Sequence, residues 1–70
     1  MIGIFRTNIS SVDDKNSVVT AIFSQFRVDA CSVDIEDCDR VLRVVSPARL
    51  EEAVIIDFVK TLGFTCQILE

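Results

Sequence analysis

The chain contains no histidine, no tryptophan and no tyrosine, and among its 70 residues only one proline and two glycines. Each absence closes a route. Without histidine, a nucleophilic serine or cysteine lacks its usual base, and there is neither a nucleophile elbow nor a glycine-rich phosphate loop. The chain therefore reads as a protein that is not an enzyme and carries no cofactor. Its three cysteines, Cys31, Cys38 and Cys66, are odd in number and form no C-x-x-C pair, so neither a disulfide framework nor a local zinc knuckle is signalled. Reduced thiols fit a cytoplasmic location. Basic residues are also few: seven Lys and Arg, scattered, stand against 11 acidic residues for a net charge of -4. That excludes a nucleic-acid groove, which rests on clustered Lys and Arg. No apolar run approaches the roughly 20 residues of a membrane helix. The N-terminus lacks a basic region followed by an apolar stretch and a small-residue cleavage site, so no membrane association is expected.

What is present is apolar. Half the residues are hydrophobic and mean hydropathy is +0.44, high for so short a chain that also has 26% charged residues. A single domain over residues 1–70 buries only about 60% of its unfolded surface. The surplus of apolar side chains therefore points to a partner surface.

Ile2, Ile4, Phe5, Thr7 and Ile9 make a first strand, apolar on both faces and ended by the polar cluster Asn8 to Ser11. Ser10-x-x-Asp13 and Ser11-x-x-Asp14 are overlapping capping boxes. Behind them Val18, Val19, Ile22, Phe23 and Phe26 recur at helical spacing. From Val28 to Ile35 the period becomes two, with Cys31, Val33 and Ile35 on one side and Ser32 and Asp34 on the other. Cys38 lies in the acidic turn Glu36-Asp37-Cys38-Asp39, where like charge disfavours its thiolate. The turn lacks the glycine and bidentate glutamate of a calcium loop. Arg40 to Val45 is a third strand, with Leu42 and Val44 opposite Val41, Arg43 and Val45. Ser46 then Pro47 reads as an N-cap followed by a first helical residue. The stripe Leu50, Val54, Phe58 and Leu62, with Ile55 and Val59, gives a buried face on which Leu50, Val54 and Phe58 are the expected anchors. Gly63 is placed as the left-handed terminator, and Phe64, Cys66 and Ile68 alternate with Thr65, Gln67 and Leu69 in a last strand.

The order β-α-β-β-α-β has one economical solution in a small α+β domain. Two right-handed crossovers interleave, giving a four-stranded antiparallel sheet in the order 4-1-3-2 with both helices on one face, the ferredoxin-like sandwich. Its other face is open, and Phe5, Val41 and Val45 are the expected interface residues there.

In this layout the chain resembles the heavy-metal-associated domains, copper-chaperone-like modules whose pattern is Met-x-Cys-x-x-Cys at the end of strand one, with a Gly-aromatic pair before the last strand. The resemblance spans nearly the whole chain. It sets Ile9 on the Met, Ser11 and Asp14 on the two cysteines, Val18 and Ile22 on the helical apolar positions, and Gly63-Phe64 on the terminal pair. It also implies that Phe64 packs beneath the loop. The ligands themselves are missing. Soft Cu(I) selects sulfur, whereas Ser11 offers a hydroxyl and Asp14 a hard carboxylate, so no metal is expected at this degenerate loop. The resemblance thus implies a non-enzymatic module that has lost its CxxC site and acts by association with a protein partner, a second copy included.

Two alternatives belong to other classes. A metal-ion binding or transport protein with an unorthodox site would use Asp14, Ser11 and a thiol from a second copy. An ACT-like small-molecule regulatory domain shares the topology, but it asks for a glycine-rich turn after strand one, and Asn8 to Ser11 has no glycine.

Overall fold

A computed structural model describes residues 1–69. It is an α+β structure in the element order β1 (Ile2–Thr7), α1 (Val12–Gln25), β2 (Ala30–Asp34), β3 (Val41–Val45), α2 (Glu52–Thr61) and β4 (Cys66–Ile68). The four strands form one antiparallel sheet in the order β2-β3-β1-β4, which is β4-β1-β3-β2 counted from the other edge. β1 and β2 are parallel with β3 between them, and β3 and β4 are parallel with β1 between them. Each helix therefore crosses over one strand.

Alternation along β1 and β3 decides where the core lies. Phe5, Leu42 and Val44 point to one side with Val33 and Cys66, and meet Val18 and Ile22 of α1 and Ile55 and Val59 of α2 in one buried cluster. Both helices thus cover the same face, α1 lying against β2 and α2 against β4. They meet each other through an edge-to-face pair, Phe26 against Phe58, with ring centroids 5.2 Å apart.

Phe5 is fully buried at 0% exposure, so it is not an open-face interface residue. Its position puts it on the same face as Thr7 and Gly3, and the open face of β1 carries Ile2, Ile4 and Arg6 instead. Val41 and Val45 do lie on the open side of β3, half-buried.

Two helical details depart from expectation. Phe23 is 48% exposed, lying outside the stripe that Val18 and Ile22 bury. In α2 the anchors are Ile55 and Val59, whereas Val54 and Leu62 are exposed, Phe58 flanks the core and Leu50 precedes the helix. Apolar residues surround most of this short helix, so two adjacent stripes, each with members four residues apart, were open, and packing selects Ile55 and Val59.

Ser46 does not cap α2. It is buried at the end of β3, where its N–H donates to Met1 O (2.8 Å), its carbonyl accepts from the Met1 ammonium (2.7 Å) and its hydroxyl donates to Arg27 O (3.0 Å). With Ser46 bound to the Met1 and Arg27 segments, Pro47 to Leu50 form a loop and the helix starts at Glu52, after an N-cap Glu51 that makes no side-chain cap bond. Gly63 ends α2 region as expected, at φ +98° with its N–H on Lys60 O.

The α2 register gives a direct test. Ile55→Ala should cost about 2–5 kcal/mol in urea denaturation, while Val54→Ala, at a 44% exposed position, should change stability by no more than about 0.5 kcal/mol. The reverse order would place the Val54 stripe in the core.

Candidate functional site

Three loops gather at one end of the sheet, and Thr7 holds two of them together. This last residue of β1 is buried at 7% exposure. Its hydroxyl donates to Arg40 O (2.6 Å) and accepts from Ile9 N (3.2 Å), while its own N–H donates to Asp39 O (3.1 Å). The β2–β3 turn is thereby fastened beside the β1–α1 junction. Arg40 sits there in the left-handed region at φ +47°, which disfavours a side-chain-bearing residue, and the Thr7 bond to its carbonyl holds it. The third loop joins through Asn8, whose Oδ1 accepts from Thr65 N at 2.9 Å. Phe64, one residue earlier, is half-buried against the core cluster.

Within the junction, Ile9 is fully buried. Of the two serines, Ser11 is the N-cap of α1: its φ and ψ are -116° and 156°, and its Oγ accepts from Asp14 N at 3.0 Å. Ser11 O also accepts from Lys15 N (2.9 Å). Ser10 is exposed and takes no part in the cap. The structure thus brings Ser11 and Asp14 together, but as hydroxyl acceptor and backbone donor of a first helical turn. A soft metal finds no sulfur at these two positions, and the Ser11 oxygen is already engaged. The residues present do not fit Cu(I).

The acidic turn is also internally committed. Asp34 Oδ1 accepts from Glu36 N and Asp37 N, and Asp37 Oδ1 accepts from Asp39 N. Asp39 Oδ1 lies 3.1 Å from Arg6 Nε, the one ion pair among the described residues. Ligand atoms of Asp37, Cys38 and Asp39 come within 4.8 Å of one another.

On the open face, registry sets Ala30, Val45 and Ile2 in one row and Ser32, Arg43 and Ile4 in the next, with Leu69 N donating to Ile4 O. Ile2 is 69% exposed. Arg43 stands exposed at the middle of this apolar surface. Ile2 and Ile4 were masked in sequence by the two-faced composition of β1. Beyond the N-terminal end of the sheet a groove of about 810 Å³ is lined by Met1, Ile2, Leu50 and Ile68 with Arg49, Glu51 and Glu52. Among the described residues every buried side-chain polar atom has a hydrogen-bond partner, and no helix is long and apolar enough to cross a membrane.

The three thiols differ in environment. Burial pushes Cys31 and Cys66 up from the usual 9.0 to about 11, with Lys60 drawing Cys66 back in part. Cys38 is exposed.

No family model, curated protein or solved structure matches the chain.

The thiols yield a two-part prediction. At neutral pH a thiol reagent should reach exposed Cys38 first, half-buried Cys31 more slowly, and buried Cys66 only as fast as the fold opens. Because the folded state keeps two protons that the unfolded chain releases near pH 9, stability should be level below about pH 9 and fall as pH rises towards about 11. Equal reaction of all three thiols in the native protein, or stability rising over that range, would contradict this.

Proposed function

We propose that the chain is a ferredoxin-like, non-enzymatic binding module, built like the heavy-metal-associated domains but without their ligands, that acts in the cytoplasm by protein association. The observation that carries this reading is the amount of apolar surface left in water. Ile2, Val12, Phe23, Val54 and Ile68 are each more than 40% exposed on a chain of only 70 residues. Scattered exposed apolar residues are ordinary, but neighbouring ones on a structured face mark contact surfaces. The β1–α1 junction supports the other half of the reading, since its two ligand positions serve to start a helix.

The runner-up, a metal-handling protein with an unorthodox site, draws on the proximity of Asp37, Cys38 and Asp39. Against it, Asp37 and Asp39 already take a backbone donor and Arg6 respectively, and a lone thiol with two hard carboxylates suits no single class of metal well.

A competition titration of the reduced protein against a Cu(I) chelator separates the two. The parent should take up no metal. Ser11→Cys with Asp14→Cys should compete with the chelator, because the N-cap and the third helical residue already face one another across a single turn and a helix N-terminus favours thiolates. Loss of the Ser11 cap should cost about 1 kcal/mol in the metal-free variant. Tight uptake by the parent would overturn the reading, and its loss in Cys38→Ser would assign the metal to the acidic turn.

A further inference from the structure

Backbone geometry leaves one edge of the sheet open to another strand. Ser46 exchanges two hydrogen bonds with Met1, its N–H donating to Met1 O and its carbonyl accepting from the Met1 ammonium, so there β3 directs its backbone groups towards β1. In an antiparallel ladder that direction alternates from residue to residue. Val44 and Leu42 therefore face β1, while Val45, Arg43 and Val41 face β2, as the bond from Asp29 N–H to Val45 O (2.7 Å) independently requires. Registry pairs those three with Ala30, Ser32 and Asp34. The intervening residues of β2, Cys31 and Val33, are left with their N–H and C=O groups pointing away from the sheet.

Among the described residues no hydrogen bond reaches these outward groups. The connection from α1 to β2, which could have covered the edge, is tied to the β3 side instead, through Arg27 O to the Ser46 hydroxyl and through Asp29 N–H to Val45 O. Open edges are commonly blunted by brevity, lysine or proline. The β4 edge is blunted in this way, with three residues and with Lys60 in the groove that Cys66 and Gln67 line. β2 has five residues and neither lysine nor proline, and its one charged side chain, Asp34, is engaged with Glu36 N and Asp37 N of the following turn.

The sequence of β2 then fits it to itself. Laid antiparallel about a two-fold axis at Ser32, two copies set each Cys31 opposite the other chain's Val33. These are the outward-facing residues, so the free groups of each chain meet those of the other. Cys31 and Val33 meet on the helix side, where Cys31 is still half-buried, and the two Ser32 side chains meet on the open face. Asp34 falls opposite Ala30, and in the same count the flanking Asp29 and Glu36 fall opposite Ile35 and Val28, so no like charges stand directly across from one another.

We propose that a second copy of this chain adds its β2 to this edge, joining the two sheets into one continuous antiparallel sheet about a two-fold axis at Ser32. The inference rests on the association reading above and names its partner and surface. Main-chain groups at a sheet edge call for an extended segment, and a closed two-fold contact calls for a self-complementary one.

Sedimentation velocity of the reduced protein over a wide concentration range, with amide exchange followed by NMR on the same samples, tests it. The parent should reach twice its 7.8 kDa mass. The Cys31 and Val33 amides should be protected in the doubled form and lose that protection on dilution to the single chain. Cys31→Pro removes an outward-facing N–H and leaves the ladder to β3 intact, so it should give the single-chain mass with an unchanged circular dichroism spectrum. Should it fail to fold, Ser32→Lys, which sets two ammonium groups across the axis from an exposed position, must give the same single-chain mass. Gln67→Lys on the β4 edge should leave the doubled mass intact. A parent that stays at one chain throughout, a doubled form whose Cys31 and Val33 amides exchange freely, or one abolished by Gln67→Lys and spared by Ser32→Lys overturns the proposal. A single-chain parent that takes up no Cu(I) removes the edge pairing and leaves the association reading standing, whereas tight Cu(I) uptake removes that reading whatever the mass.

Discussion

The ring of Phe5 lies back over Gly3 on the core side of β1, and most of the structure follows from that contact. A side-chain carbon added at Gly3 would sit 2.7 Å and 2.8 Å from two ring carbons of Phe5, closer than real carbon contacts. The ring itself is fully buried. Placing it inward commits Gly3, Phe5 and Thr7 to the core and Ile2, Ile4 and Arg6 to the open face, because strand side chains alternate. Pairing carries the choice to the neighbours, with Phe5 opposite Leu42 on one side and Ile68 on the other, and Thr7 opposite Cys66. A slip of one residue in β1 would turn the largest buried side chain into water and Ile4 and Arg6 into the core.

The same strand organises the candidate site. Because Thr7 is forced inward at the last position of β1, its hydroxyl reaches both the β2–β3 turn and the β1–α1 junction, and it binds the two. The junction is then left with a short, fixed path into α1, which Ser11 opens as the N-cap. A loop arranged in this way has its polar groups satisfied by its own backbone. What it presents outward is a helix start and an acidic turn, and the rest of the molecule sets exposed apolar side chains among polar ones: Ile2 on the open sheet face that carries Arg43, and Phe23, Val54 and Leu62 on the helices. Association is the role we propose for these surfaces, since burial of apolar area needs no directional partner.

Much of this was legible in the residues. The capped start of α1, the alternation of Cys31 and Val33 in β2 and of Leu42 and Val44 in β3, and the left-handed Gly63 each rest on a local signal that tertiary packing had no reason to override. The failures share a cause. β1 has apolar residues on both faces and α2 on most of its circumference, so period alone could not choose a side, and the choice fell to shape: the Phe5 ring over Gly3, and Ile55 and Val59 under the sheet-facing stripe. Ser46 misled differently, since a serine before proline is a sound helix signal until the N-terminal residue claims its backbone. The docking role of Thr7 had a faint trace, a polar residue in register with core positions.

The measurement that tests the account most directly is the stability of Gly3→Ala in urea. Alanine ordinarily improves on glycine inside a strand by roughly 0.5–1 kcal/mol, because glycine loses more freedom on folding. If the Phe5 ring is locked over Gly3 as described, the added methyl has nowhere to go and the variant should be less stable than the parent by about 1–3 kcal/mol. A variant as stable as the parent, or more stable, would mean that Phe5 is free to move and that the inward commitment of β1 is not what holds this structure together.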